Sequence, residues 1–128
     1  MICCYYTSYL FLIIVLISIL NKYYIHSLLF LFLFTTSILF YTQQNIIFFI
    51  MDQIAIFLCV LHGLYLYYHK FKLSYLSVII LYSFIFSILL FYGGYYLNEF
   101  CYCKTYGNVW HSFIHLLCVI SNYFLIIL

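Results

Sequence analysis

The sequence predicts an all-α integral membrane protein, and three observations lead to that prediction. Of its 128 residues, 70% are hydrophobic and 5% are charged, whereas soluble domains carry about 25% charged residues. The apolar runs are long and continuous, which is typical of membrane-spanning helices. They lack the alternation of apolar and polar residues that a membrane β-barrel requires. Proline is absent, so polar residues must mark the helix ends. We predict one transmembrane domain over residues 1–128, a bundle of about five helices.

The first two predicted helices end at short polar segments. The first covers residues 5–20 and ends at Asn21 and Lys22. No basic region precedes it and no small-residue cleavage site follows it, so we expect a retained helix rather than a signal peptide. The second covers residues 25–41, and Thr42–Asn45 follow it. Tyrosines gather near such boundaries, as expected where membrane meets water.

The remaining three helices are separated in the same way. The third is predicted over residues 46–67, before the histidine and lysines at 69–72. The fourth covers residues 73–92 and ends at Gly93–Gly94, and a polar stretch then leads to the fifth, residues 109–128. More lysines fall in the first and third loops than in the second and fourth. The positive-inside rule therefore predicts that the first and third loops face the cytoplasm.

The composition also limits the partners. Intrinsic disorder is excluded, because it requires low hydrophobicity and high charge. Nucleic-acid binding is not expected, since a net charge of +2 from scattered lysines makes no basic patch for phosphates. Membrane lipid is the expected surrounding and the expected partner.

Three helices carry polar side chains within their apolar runs, where such groups are costly unless they face the bundle interior. Asp52, the only aspartate, lies near the start of the third helix and must be paired or protonated in lipid. Ser37 and Tyr41 lie one turn apart near the end of the second helix. His111 and His115 are also one turn apart, so both imidazoles can reach one metal ion.

Helix direction brings these residues to one membrane face. The second and third helices are antiparallel, so the end of one and the start of the other share a face. The fifth helix runs parallel to the third, and its start lies there too. The same residues can also have a purely structural role. An aspartate at the membrane interface can cap its helix, and histidines there can bond to loop carbonyls. His26 lies at the far end of the second helix and His62 about 15 Å along the third from Asp52, so neither is expected in the cluster.

The pattern resembles the alkaline ceramidase and adiponectin-receptor-type superfamily of membrane hydrolases. Ser37, Tyr41 and Asp52 keep that superfamily's steps of four and eleven residues, and VWHSFIHLL is similar to its aromatic-His-Ser-x-x-His signature. The resemblance covers residues 35–63 and 109–122, less than half of the chain.

The resemblance implies a zinc-dependent hydrolase of a lipid amide, with ceramide as the superfamily's model substrate. It implies that His111 and His115 bind zinc, that Asp52 holds the zinc-bound water, and that Ser37 lies directly behind these residues. If zinc binds, Ser37 can donate a hydrogen bond to the developing oxyanion. Tyr41 occupies the position at which the superfamily has a third histidine ligand. This chain also has room for about five helices, whereas the superfamily has seven. Because a neutral phenol is a poor zinc ligand, the chain is expected to be an active or a degenerate member.

Three alternatives stay open. Asp52 can bind the metal directly beside the two histidines. Cys101 and Cys103 precede the histidine pair as in a Cys2His2 zinc site, although at shorter spacings than usual. The chain can also be a non-enzymatic small membrane protein, or a subunit of a membrane complex, whose polar residues join helices.

Overall fold

The computed structural model describes most of the chain as helix. The described residues form five α-helices without a strand, which confirms the predicted all-α fold. The described residues are 6–43, 45–96 and 105–128, with the backbone alone described at 41, 94–96 and 105–109.

A helical turn at residues 6–8 leads into the first of the five helices. The helices are α1 Phe11–Leu20, α2 Tyr24–Gln43, α3 Ile46–Lys70, α4 Tyr75–Tyr96 and α5 Thr105–Ile127.

Polar residues form the connections between the first three helices. Asn21 follows α1 and its side chain donates to the Ile17 carbonyl at 2.9 Å. Lys22 then adopts a positive φ of 65°, which reverses the chain into α2. Asn45 caps α3, because its Oδ1 accepts a hydrogen bond from the Ile47 amide at 2.9 Å. These bonds supply partners for helix-end backbone groups that have none within the helix.

Helix α4 passes through Gly93–Gly94, where the sequence predicted its end, and continues to Tyr96. Glycine is only about 1 kcal/mol less favourable than alanine in a helix interior. Tertiary contacts can therefore offset this cost, and the helix continues past the two glycines. Trp110 of α5 supplies such a contact, since its Nε1 donates to the Leu90 carbonyl at 3.0 Å. Its ring also lies 3.7 Å from the point that a Cβ at Gly93 would occupy.

Two clusters of buried apolar side chains form the core in the described part of the chain. Helices α1, α2, α3 and α5 build one, and α3, α4 and α5 build the other. Helices α1, α2 and α3 pack as consecutive neighbours, and α5 contacts both α1 and α3, while α4 packs against α5. The Cα atoms of α3 and α4 nowhere come within 8 Å of each other in the described part. The Phe84 ring of α4 reaches across this gap towards Gly63, 3.4 Å from the point that a Cβ there would occupy.

The outer surface of the bundle is apolar. Large hydrophobic side chains on every helix from α1 to α5 are more than one-third exposed, Leu16, Leu28, Phe57, Leu89 and Ile127 among them. Among the residues that the structure describes, three segments are long and apolar enough to cross a membrane, namely Ile46–Lys70, Tyr75–Gly93 and Trp110–Ile127. Two shorter apolar helices cover Tyr6–Leu20 and Tyr24–Phe40. These features indicate a membrane protein.

Candidate functional site

A cavity of about 380 Å³ lies between α3, α4 and α5, with side chains of α1 and α2 also reaching it. Its volume falls in the range of small-molecule sites, roughly 300–1,000 Å³. Half of its lining residues are phenylalanine, leucine or isoleucine. The structure brings four of the predicted site residues to this cavity: Ser37, Asp52, His111 and His115. The side chain of Tyr41, the fifth, lies outside the described residues.

Asp52 is buried, with 3% of its surface exposed, and hydroxyl groups of α2 hold it. Ser37 Oγ donates to Asp52 Oδ1 at 2.7 Å, and Thr36 Oγ1 lies 3.1 Å from the same oxygen. The Thr36 hydroxyl also lies 3.0 Å from the Leu33 carbonyl, so these two acceptors share its one proton. Since Asn45 caps α3, the structure does not support the interpretation of Asp52 as a helix cap.

The two histidines of α5 lie side by side in the interior. His111 is 7% and His115 is 6% exposed, and their ring centroids are 4.7 Å apart in an edge-to-face arrangement. The Nδ1 atom of His115 lies 2.9 Å from Thr7 Oγ1, in the turn before α1. Phe11 packs on the same imidazole, with ring centroids 5.0 Å apart. A hydroxyl from a distant segment therefore fixes the orientation of His115.

Sequence reasoning missed Thr36 and Thr7. Thr36 carried a weak signal, because it neighbours Ser37 on the side of α2 that meets α3. Thr7 carried none, since nothing in the chain order indicates that residue 7 lies beside residue 115. Both contacts depend on how the helices are rotated about their axes.

A zinc ion in a typical catalytic site takes three protein ligands. Imidazoles at i and i+4 are suitable donors, and His111 and His115 supply two. Among residues whose positions are described, no group of three or more His, Cys, Asp or Glu side chains is close enough to hold a metal ion. Cys101 and Cys103 lie outside the described residues. The donors described here are thus the histidine pair, with Asp52 lining the same cavity.

The cavity opens on the outer surface between α3 and α4. Phe57, Leu61 and Leu64 line it from α3, and Tyr92 lines it from α4. All four are exposed, at 61%, 48%, 43% and 68% of their surface. Because the backbones of α3 and α4 stay apart, the opening faces sideways, towards the lipid if the helices cross a bilayer.

A second polar cluster lies farther along the same helices. His26 Nδ1 is 3.0 Å from His62 Nδ1, and His26 Nε2 is 3.1 Å from Asn122 Oδ1. Neither histidine lines the cavity, so the two stand apart from Asp52 as the sequence predicted, but their partner Asn122 does line it. Their pairing with each other had no sequence signal, because the two residues belong to different helices.

Comparison of the chain with protein-family models, with curated proteins and with solved structures gives no match. The choice of a function therefore rests on the residues themselves and on the geometry of the cavity.

Proposed function

We propose that the protein is a membrane-embedded, zinc-dependent hydrolase of a lipid amide, with all five helices within the bilayer. One observation carries the proposal: Ser37, Asp52, His111 and His115 line a single apolar cavity. A carboxylate, a hydroxyl and two imidazoles are the groups that amide hydrolysis uses, and an apolar cavity suits an acyl chain.

The sideways opening between α3 and α4 supports a substrate that arrives through the membrane. An acyl chain can pass between α3 and α4, along their exposed lining residues, without leaving an apolar surrounding. The amide would then reach the polar residues at the inner side of the cavity. The cavity thus has an apolar opening and a polar inner side. A lipid with an N-acyl group and a small polar headgroup matches these two parts.

Asp52 is assigned as the general base that holds and deprotonates the attacking water. Its burial keeps bulk water away, and its two hydroxyl contacts fix the orientation of the carboxyl group. Ser37 donates its one proton to Asp52, so we assign Ser37 to positioning this carboxylate, in place of the hydrogen bond to the oxyanion expected from the sequence.

His111 and His115 are assigned as zinc ligands, with Thr7 orienting the second. Bound zinc would polarise the amide carbonyl and acidify a water molecule. The third protein ligand is proposed to be Tyr41, at the position of the superfamily's third histidine. Asp52 is assigned as the base and not as a ligand, because no three described His, Cys, Asp or Glu side chains lie close enough to hold a metal ion.

The test is the metal content of the chain purified in mild detergent, together with hydrolysis of N-acyl lipids such as ceramides. We expect stoichiometric zinc and fatty-acid release. His111→Ala and His115→Ala should lose both, whereas His69→Ala, at an exposed histidine of α3, should keep both. A wild-type chain without zinc after gentle purification contradicts the proposal, and so does a zinc-loaded chain that releases no fatty acid.

Tyr41→His tests the third ligand. If Tyr41 occupies a ligand position, an imidazole there should raise zinc occupancy above the wild-type value. An unchanged occupancy would remove Tyr41 from the ligand set. Asp52→Asn tests the assignment of Asp52 as the base: hydrolysis should be lost while the bound zinc is retained.

A further inference from the structure

The cavity ends at Phe84 of α4, on the side away from the histidine pair. Phe84 is buried, with 6% of its surface exposed, and it lines the cavity. It also belongs to the apolar core cluster beyond the cavity, together with Leu66, Ile80 and Leu125. Those three side chains are buried and are not part of the cavity lining. The Phe84 ring therefore separates the open space from a filled core.

The neighbouring helices hold the Phe84 ring in this place. The ring lies 3.4 Å from the point that a Cβ at Gly63 of α3 would occupy, and Asn122 Oδ1 of α5 lies 3.8 Å from the same point. The Asn122 amide nitrogen donates to the Cys118 carbonyl at 2.8 Å, and its Oδ1 lies 3.1 Å from His26 Nε2. The inner end of the cavity is thus built from three helices, and hydrogen bonds fix one side of it.

The helix lengths give the distance from the polar residues to this inner end. Gly63 follows Asp52 by eleven residues on α3, and Asn122 follows the first histidine of the pair by eleven residues on α5. Either step is about 16 Å at 1.5 Å per residue, and the step from His115 to Asn122 is about 10 Å. An extended alkyl chain advances about 1.25 Å per carbon, given bonds of about 1.5 Å and angles near 111°. The cavity therefore holds about 8–13 carbons of an extended chain.

We propose that Phe84 sets the acyl-chain length that the protein prefers, and that its substrates carry a medium-length acyl chain of about 8–13 carbons. The inference rests on the proposed hydrolase and names the substrate class of that site. A chain of this length fills the cavity when its carbonyl lies beside the histidine pair. A longer chain meets the Phe84 ring and has to turn out through the opening between α3 and α4, where it loses contacts with the lining.

The experiment measures kcat/KM for a set of N-acyl lipids that share one headgroup and differ in the length of a saturated acyl chain. The wild-type chain should be most efficient at medium length. Phe84→Ala removes the ring from the inner end, so the ratio of kcat/KM for long over medium chains should rise about 10-fold or more. Phe86→Ala is the matched control, because Phe86 lies on the same helix, is 47% exposed and is not part of the cavity lining. It should keep the wild-type ratio.

Ser87→Phe tests the proposal in the opposite direction. Ser87 lines the cavity about one turn from Phe84, towards the polar end, and its hydroxyl bonds to the Ser83 carbonyl of its own helix. A ring at this position moves the inner end by about 5 Å, or about four carbons. The preferred chain should therefore become shorter by that amount. A chain-length preference that stays unchanged in Phe84→Ala and in Ser87→Phe overturns the proposal.

Binding of fatty acids separates this inference from the proposed hydrolase. Displacement of a fluorescent fatty acid by saturated fatty acids from octanoate to stearate measures the preferred chain length without any hydrolysis. Phe84→Ala should shift that preference towards the longer acids, and Phe86→Ala should not. A chain that hydrolyses lipids with the same length preference in Phe84→Ala refutes this inference alone. A chain that hydrolyses no lipid, but whose fatty-acid preference shifts in Phe84→Ala, refutes the hydrolase and leaves the chain-length site standing.

The melting temperature of each variant shows whether it is folded. Phe84 belongs to a core cluster, so its truncation to alanine leaves a cavity that destabilises the bundle. If Phe84→Ala fails to fold, Phe84→Leu takes its place, because leucine fills most of the core and still removes the ring. The same shift towards longer chains is expected there, and its absence in a folded Phe84→Leu chain contradicts the proposal.

Discussion

Ser37 on α2 donates a hydrogen bond of 2.7 Å to the Oδ1 atom of Asp52 on α3. The carboxyl group lies deep in an apolar bundle, where an unpaired polar group costs several kcal/mol of stability. Thr36 lies within 3.1 Å of the same oxygen. Two neighbouring hydroxyls therefore tie the end of α2 to the start of α3 and hold the acid that lines the cavity.

Ser37→Ala should lower the free energy of unfolding by about 1–3 kcal/mol, because a buried acceptor loses its shortest bond. Denaturant unfolding in detergent measures the change. Ser87→Ala is the control: Ser87 is equally buried, but its hydroxyl bonds to the Ser83 carbonyl within its own helix. We expect a loss below about 1 kcal/mol there. Equal losses at the two positions would mean that the contact with Asp52 adds nothing.

Thr7→Val should reduce zinc affinity at the histidine pair about 10–100-fold, since valine keeps the shape of threonine but removes the hydroxyl that orients His115. Competition with a zinc chelator measures the affinity. Thr42→Val is the matched control, because that hydroxyl bonds to the Ile38 carbonyl of its own helix. Unchanged zinc affinity in Thr7→Val would show that Thr7 does not position a ligand.

Leu61→Trp should slow lipid hydrolysis by narrowing the opening between α3 and α4. Leu61 lines the cavity and is 48% exposed. Leu58→Trp places the same large ring on the exposed surface of the same helix, away from the cavity lining. We expect Leu61→Trp to raise KM for long-chain substrates while zinc content stays constant, and Leu58→Trp to change neither. The same kinetics in both variants would place the access route elsewhere.

Lys70→Met should destabilise the end of α5 by about 1–3 kcal/mol, because it removes two charge-assisted hydrogen bonds. Lys70 Nζ donates to the carbonyls of Leu125 and Ile126 at 2.8 and 2.6 Å, and it lies 4.7 Å from the centre of the Tyr23 ring. Hydrogen exchange of the α5 amides, read by mass spectrometry, should show faster exchange near the carboxyl end of the helix. Lys72→Met, at an exposed lysine, provides the comparison and should exchange like the wild type.

The sequence by itself determined the helical fold, because backbone groups in lipid must bond within the chain and continuous apolar runs leave the helix as the solution. It also determined the relative depth of the polar residues. Ser37, Asp52, His111 and His115 line one cavity because alternating helix directions return the end of α2 and the starts of α3 and α5 to one face. Chain order and helix length are sufficient for that result.

Only the tertiary structure decided which neighbours meet. The gap between α3 and α4, the Thr7–His115 contact and the His26–His62–Asn122 cluster all depend on helix rotation and partner choice. A soluble helix shows its rotation through an apolar stripe, but these helices are apolar on nearly every side. Lipid is as apolar as leucine, so side-chain packing and hydrogen bonds between helices choose the contacts, and those become visible only when the helices are assembled.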